Sequence, residues 1–146
     1  REALKTKMEK SMGGSKVEST TASSQLETKY LGKQVQHAIE DLDLIPWAGS
    51  PIVITLHCEE FTSHCPRTGQ PDFAKLKIEY VPDQHIAETK SVKLFMWQFR
   101  DKKEFNEKLV DYICEKFYNL LHPKRIKVTG EFAIRGGIWV EAVAER

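Results

Sequence analysis

The most regular alternation of apolar and polar positions lies between Phe73 and Val81, where Ala74, Leu76, Ile78 and Tyr80 take one face and Lys75, Lys77 and Glu79 the other. Successive side chains of a strand point to opposite faces, so this segment predicts a strand with one buried and one wet side. Upstream, Ile52-Val53-Ile54-Thr55-Leu56 is short and β-branched and is bounded by Gly49-Ser50-Pro51, which predicts a first strand followed by a loop. Past Pro82-Asp83 the period changes. Val92, Phe95, Met96 and Phe99 fall at i, i+3, i+4 and i+7, the stripe of a helix that ends near Arg100. Asp101 and Glu104 have capping-box spacing, and Phe105, Leu109, Tyr112, Ile113, Phe117 and Leu120 predict a second helix that stops before Pro123. Ile126, Val128, Gly130, Phe132 and Ile134 then alternate, Gly136-Gly137 suits the positive φ of a tight turn, and Ile138, Val140 and Ala142 resume the alternation, as a hairpin does.

The order ββααββ describes an α+β domain in which two amphipathic helices cover one face of a four-stranded antiparallel sheet. Its uncovered face and open edges predict pairing with copies of itself in a ring-like homo-oligomer. Residues 1–28, with Gly13-Gly14-Ser15 and the polar run from Glu18 to Ser24, carry too few apolar side chains to offset ordering entropy, and are read as a mobile arm, part of it linker-like. Residues 29–146 are read as a single domain.

Charge and cysteine usage narrow the class. A formal net charge of +1 gives no whole-chain reason to expect nucleic acid or a membrane surface as partner. Neither a membrane-spanning apolar run nor a signal-peptide core is present, and the three cysteines, Cys58, Cys65 and Cys114, lack framework spacing. A cytoplasmic, reducing environment is the expectation, and it permits a free reactive thiol.

Cys65 is the strongest candidate for chemistry. It lies in Ser63-His64-Cys65-Pro66-Arg67-Thr68-Gly69-Gln70-Pro71-Asp72, a shaped turn between strands, with cationic or titratable neighbours and a carboxylate, Asp72, able to fold back and shuttle a proton. A lone cysteine is more often a small buried hydrophobe. His57-Cys58 and His64-Cys65 invite a zinc reading, but the spacing fits no common signature and neighbouring strand residues point to opposite sides, so no metal is expected. Lys90, Ser91 and Lys93 open the first helix and offer two ammonium groups and a hydroxyl to a phosphate; a solvated helix face is the alternative. Arg135 before Gly136-Gly137 is a hairpin arginine or a planar cation aimed at a ligand. Glu107 is an exposed helix carboxylate, or the acceptor of two parallel donors on a guanine-like base.

On these residues the chain resembles the single-module QueF family, NADPH-dependent 7-cyano-7-deazaguanine reductases of the tunnelling fold. Glu59-Glu60-Phe61-Thr62-Ser63 running into Cys65-Pro66-Arg67-Thr68-Gly69-Gln70-Pro71-Asp72-Phe73 is similar to the nucleophile segment of that family. Glu88-Thr89-Lys90-Ser91-Val92-Lys93-Leu94-Phe95 resembles its cofactor-associated motif, and Arg135-Gly136-Gly137 also matches. The resemblance implies that Cys65 is the nucleophile, Asp72 the proton donor and Glu107 the base-recognising carboxylate, while Lys90, Ser91, Lys93 and Arg135 contact NADPH. It further implies a nitrile oxidoreductase of queuosine biosynthesis, a tRNA modification pathway, assembled as a decamer of two pentamers with no direct nucleic-acid partner. Two departures stand out: Thr89 replaces a usual Ser or Leu, and Asn106 stands where a His commonly precedes the substrate glutamate. Asn106 cannot titrate near neutrality. Competing readings are an amidinotransferase of related fold acting on the nitrile base in tRNA, and a non-catalytic purine-binding module.

Overall fold

The computed structural model describes residues 28–146, so the expected arm lies, but for Thr28, outside the described residues. A four-stranded antiparallel sheet is built from β2 (Ile54–His64), β3 (Pro71–Val81), β5 (Arg125–Phe132) and β6 (Glu141–Glu145), in spatial order β2-β3-β5-β6. Two helices, α1 (Thr89–Trp97) and α2 (Asn106–Leu121), separate the two halves of the sheet in sequence. This is the expected ββααββ order, with one addition. Two three-residue strands, β1 (Leu44–Pro46) and β4 (His85–Ala87), pair into a small second sheet.

The expected boundaries need three corrections. The first strand does not give way to a loop after Leu56 but runs to His64, because an irregularity between Cys58 and Phe61 resets the alternation and returns Phe61 and Ser63 to the buried face. The capping box at Asp101 and Glu104 does not form: α2 begins at Asn106, with Phe105 at its N-cap and no side-chain cap. The reason is competition from β2. The N–H of His64 donates to the Lys102 carbonyl and the N–H of Glu104 to the His64 carbonyl, which holds 102–104 extended along the sheet edge. In the hairpin, strand pairing stops at Phe132 and resumes at Glu141, while Ile134 and Ile138 stand exposed in the connection.

The core lies between the inner sheet face and the helices. Leu76, Ile78, Tyr80, Ile126 and Val128 from the sheet meet Phe95, Phe99, Leu109, Ile113 and Phe117, all essentially inaccessible. Phe61, Phe99, Phe95 and Phe117 form a chain of tilted and edge-to-face rings that joins β2 to both helices, the arrangement that ring quadrupoles favour. Gly130 lets α2 approach closely, since a Cβ there would lie 2.6 Å from a Val110 methyl. Val110 thus sits over Gly130, and one turn later Cys114 Sγ reaches the Ala144 carbonyl at 3.5 Å, Ala144 being the partner of Val128. So α2 runs antiparallel to β5, and its first residues overhang the end of the sheet where Phe132, Asp72 and Ser63 lie.

Candidate active site

That end of the sheet carries the chemistry. The β2–β3 connection is closed by two reciprocal bonds, Gly69 N–H to the Cys65 carbonyl and Cys65 N–H to the Gln70 carbonyl, each 2.9 Å, with Gly69 at φ 71°. A side chain at such a φ is strained, so glycine permits the turn. Cys65 is half-exposed in this turn. The Thr68 hydroxyl and the backbone N–H groups of Thr68 and Arg67 hold the thiol below its ordinary value, against burial and the nearby Asp72 charge. Burial instead pushes the Cys58 and Cys114 thiols up, opposite to Cys65, among three free cysteines.

Asp72 is buried on the inner face of β3, directly opposite Ser63 of β2. Its carboxylate turns the other way, toward β5 and β6, and forms an ion pair with the Arg135 guanidinium, 2.8 Å away. Arg135 is held in a tight turn by reciprocal backbone bonds with Ile138 of 2.7 and 3.0 Å, across Gly136 and Gly137 at φ 57° and 79°. Ser63 is fully buried, and its hydroxyl has no hydrogen-bond partner among the described residues. The same is true of the buried Asn106 Oδ1 at the first position of α2. Glu107 follows it in the first turn and is exposed; a single copy of the chain does not enclose it.

Beyond the turn, a groove of about 990 Å³ runs between β2 and α1, lined by His57, Thr62, His64, Phe73, Lys93 and Trp97 among others. Lys93, Trp97 and Arg100 repeat at helical spacing and are all exposed, so the groove has two cations and an indole along one wall. Lys90 and Ser91 are placed otherwise. The Lys90 ammonium donates to the Tyr30 carbonyl at 2.8 Å and to that of Lys33. Ser91 is buried, its hydroxyl donating to the Glu88 carbonyl at 2.7 Å and accepting from the Asp43 N–H at 3.0 Å. The Glu88 carboxylate takes the N–H groups of Lys90 and Ser91 at 2.8 and 2.9 Å, so the start of α1 is capped by its own anion. The expected phosphate clamp of Lys90, Ser91 and Lys93 is therefore not assembled at the helix start, and only Lys93 faces open space. Among the described residues no cluster of three or more His, Cys, Asp or Glu side chains could hold a metal, and no helix is long and apolar enough to cross a membrane.

A family profile described as QueF-like protein matches residues 71–146. A protein of Anaeromyxobacter dehalogenans named NADPH-dependent 7-cyano-7-deazaguanine reductase is 47% identical over 93 residues, 64% of this chain and 76% of that protein. The chain belongs to the QueF-like family. A second family member of the same name, from Methylobacillus flagellatus, is 41% identical over 115 residues, 79% of this chain and 82% of that protein. Among solved structures, the apo crystal structure of an archaeosine synthase QueF-Like superposes with a TM-score of 0.62 at 27% identity, covering 66% of this chain and 95% of that one.

Within this QueF-family chain the fold brings together Cys65, Asp72 and Arg135, adds Thr68 and Ser63, which the sequence did not single out, and brings in Asn106, which it marked only as a departure. The Thr68 hydroxyl is the largest influence lowering the Cys65 thiol. Ser63 and Asn106 present buried polar atoms to the same end of the sheet. Ser63 had a readable signal, because it lies two residues after Phe61 on an otherwise apolar face.

Proposed function

We propose that this chain reduces the nitrile of 7-cyano-7-deazaguanine to 7-aminomethyl-7-deazaguanine with NADPH, through a thioimide on Cys65, as a cytoplasmic enzyme of queuosine biosynthesis. The observation that carries the reading is the half-exposed Cys65 in a closed turn, with Asp72 on the neighbouring strand opposite Ser63, two residues before the cysteine. Attack of that sulfur on the nitrile carbon forms a C–S bond and opens one C–N π bond. The Asp72 carboxylate, on the strand next to the one that leads into Cys65, can take the thiol proton and deliver it to the nitrogen, which leaves Asp72 as it began. The resulting thioimide carbon is a better hydride acceptor than the nitrile was.

When bound, NADPH supplies hydride, one equivalent for each of the two reductions. The exposed Lys93 on the groove wall, with Arg100 and Trp97, fits an anionic aromatic cofactor. Arg135 is a further candidate contact for it, whereas Lys90 and Ser91 would serve by shaping the start of α1. After the first reduction Cys65 leaves as the C–S bond breaks, and the imine must be held away from water until the second. Glu107 is the candidate acceptor for the two donors of the base, and a second copy of the chain would close its pocket. Exposed Phe73, Ile134, Ile138, Trp139 and Val143 support such an assembly, a ring-like homo-oligomer read as two pentamers.

One structural neighbour is an archaeosine synthase, which favours one rival, an amidinotransferase acting on the nitrile base in tRNA. Incubation of purified protein with the nitrile and NADPH decides between them. The reductase oxidises two NADPH per nitrile, followed by absorbance, and its Cys65→Ala variant oxidises none. An absence of oxidation with reduced Cys65, or ammonia-dependent conversion instead, would refute the proposal. A non-catalytic purine-binding module would do neither.

A further inference from the structure

Two oddities lie side by side at the end of the sheet. Ser63 is a fully buried hydroxyl with no hydrogen-bond partner among the described residues. Leaving such a group unpaired is costly, and native folds rarely do so without a reason. Its cross-strand neighbour is Asp72, a carboxylate within cross-strand reach on the same face. Yet the Asp72 carboxylate is drawn away from it into an ion pair with Arg135. The sheet order makes the two arrangements alternatives: β3 lies between β2 and β5, so Ser63 and Cys65 are on one side of Asp72 and the Arg135 turn is on the other.

We infer that Ser63 is the positioning residue for Asp72 in the reaction, its hydroxyl receiving the carboxylate when the side chain leaves Arg135 and turns toward Cys65. One motion then accounts for both oddities. In the arrangement seen here the carboxylate is docked on the cation and the hydroxyl waits unpaired. In the other, the hydroxyl donates to Asp72 and holds it against the β2 side, where the thiol proton leaves and the nitrile nitrogen receives it. The exposed half of the Arg135 guanidinium marks where an anion can draw the arginine off Asp72. Proton transfer needs the carboxylate within hydrogen-bond reach of both sites, and a fixed hydroxyl two residues before the nucleophile gives that placement.

This inference rests on the thioimide chemistry proposed above, and the test separates the two. The rate of covalent adduct formation is measured by intact mass after mixing with 7-cyano-7-deazaguanine and no NADPH, for wild type, Ser63→Ala and Arg135→Gln, together with the melting temperature of each. Ser63→Ala removes an unpaired buried hydroxyl, so it melts at or above the wild-type temperature while forming adduct about tenfold more slowly, the usual weight of one hydrogen bond. Arg135→Gln frees Asp72 for Ser63 and forms adduct faster than wild type. A Ser63→Ala variant with wild-type adduct kinetics overturns the inference. So does a Ser63→Ala variant that melts lower, which would make the hydroxyl structural, or an Arg135→Gln variant that is no faster. If wild type itself forms no adduct, the nitrile chemistry has failed instead.

Discussion

The two polar clusters that the fold buries are opposites. Around the start of α1 every group is used: the Asp43 carboxylate accepts the N–H groups of Lys29, Tyr30 and Leu31 at 2.6, 2.7 and 2.9 Å, and its carbonyl accepts from Glu88. Ser91 and Glu88 close the rest of that network. At the end of the sheet, Ser63 and Asn106 are left unpaired among the described residues and Asp72 is paired with a half-exposed arginine. A satisfied network rigidifies, whereas unpaired buried atoms cost stability and are retained where a ligand or a second conformation uses them. Ser91, inside the cofactor-associated motif, is built into this network, while plain-looking Ser63 keeps its buried hydroxyl without a partner among the described residues, beside Asp72.

Breaking the satisfied cluster has the larger effect. Asp43→Ala strands three backbone N–H groups and should lower unfolding stability by about 2–4 kcal/mol, measured by urea denaturation. Burial pushes the Asp43 carboxyl up, but the three N–H bonds outweigh it and hold the folded value low. The stability this confers is complete above the ordinary carboxylate value of 3.8 and is lost as pH falls through the lowered folded value. Asp43→Ala should therefore also flatten the acid limb of stability; an unchanged limb would remove Asp43 from its place as the anchor.

The smaller effect sharpens the other side of the contrast. Thr68→Val removes the hydroxyl that chiefly holds the Cys65 thiol low, so the thiol value rises and less thiolate is present at neutral pH. Alkylation of Cys65 should slow several-fold at pH 7 and its pH profile should move upward, with little change in melting temperature. Cys58 and Cys114, pushed up by burial, should label far more slowly throughout. A profile unmoved by Thr68→Val would mean that the turn does not activate the thiol.

Much of this was legible along the chain. The alternation from Ala74 to Tyr80 and from Ile126 to Phe132 maps onto neighbouring strands, and Val92 and Phe95 onto the buried face of α1, with Phe99 buried in the turn just past its end. Three-residue β1 and β4 were not legible, because so short a strand has no period to detect. The extension of β2 was hidden by the irregularity near Glu59 and Glu60, which breaks the alternation. Asp101 and Glu104 had capping spacing but lost to the pairing of 102–104 with His64, a contact between distant parts of the chain. At the site, Cys65 and Asp72 stood out by their turn, but the docking of Asp72 on Arg135 depends on the order β2-β3-β5-β6, which spacing does not encode.

The central claim is that the Cys65 sulfur captures a cyano carbon, and intact-mass analysis after incubation with 7-cyano-7-deazaguanine in the absence of NADPH tests it most directly. The expected product carries one added nitrile base per chain, stable to denaturation, located on the peptide that contains Cys65, and discharged when NADPH is supplied to the folded adduct. Unmodified mass with a reduced, alkylatable Cys65, or modification mapped to Cys58 or Cys114, would contradict it.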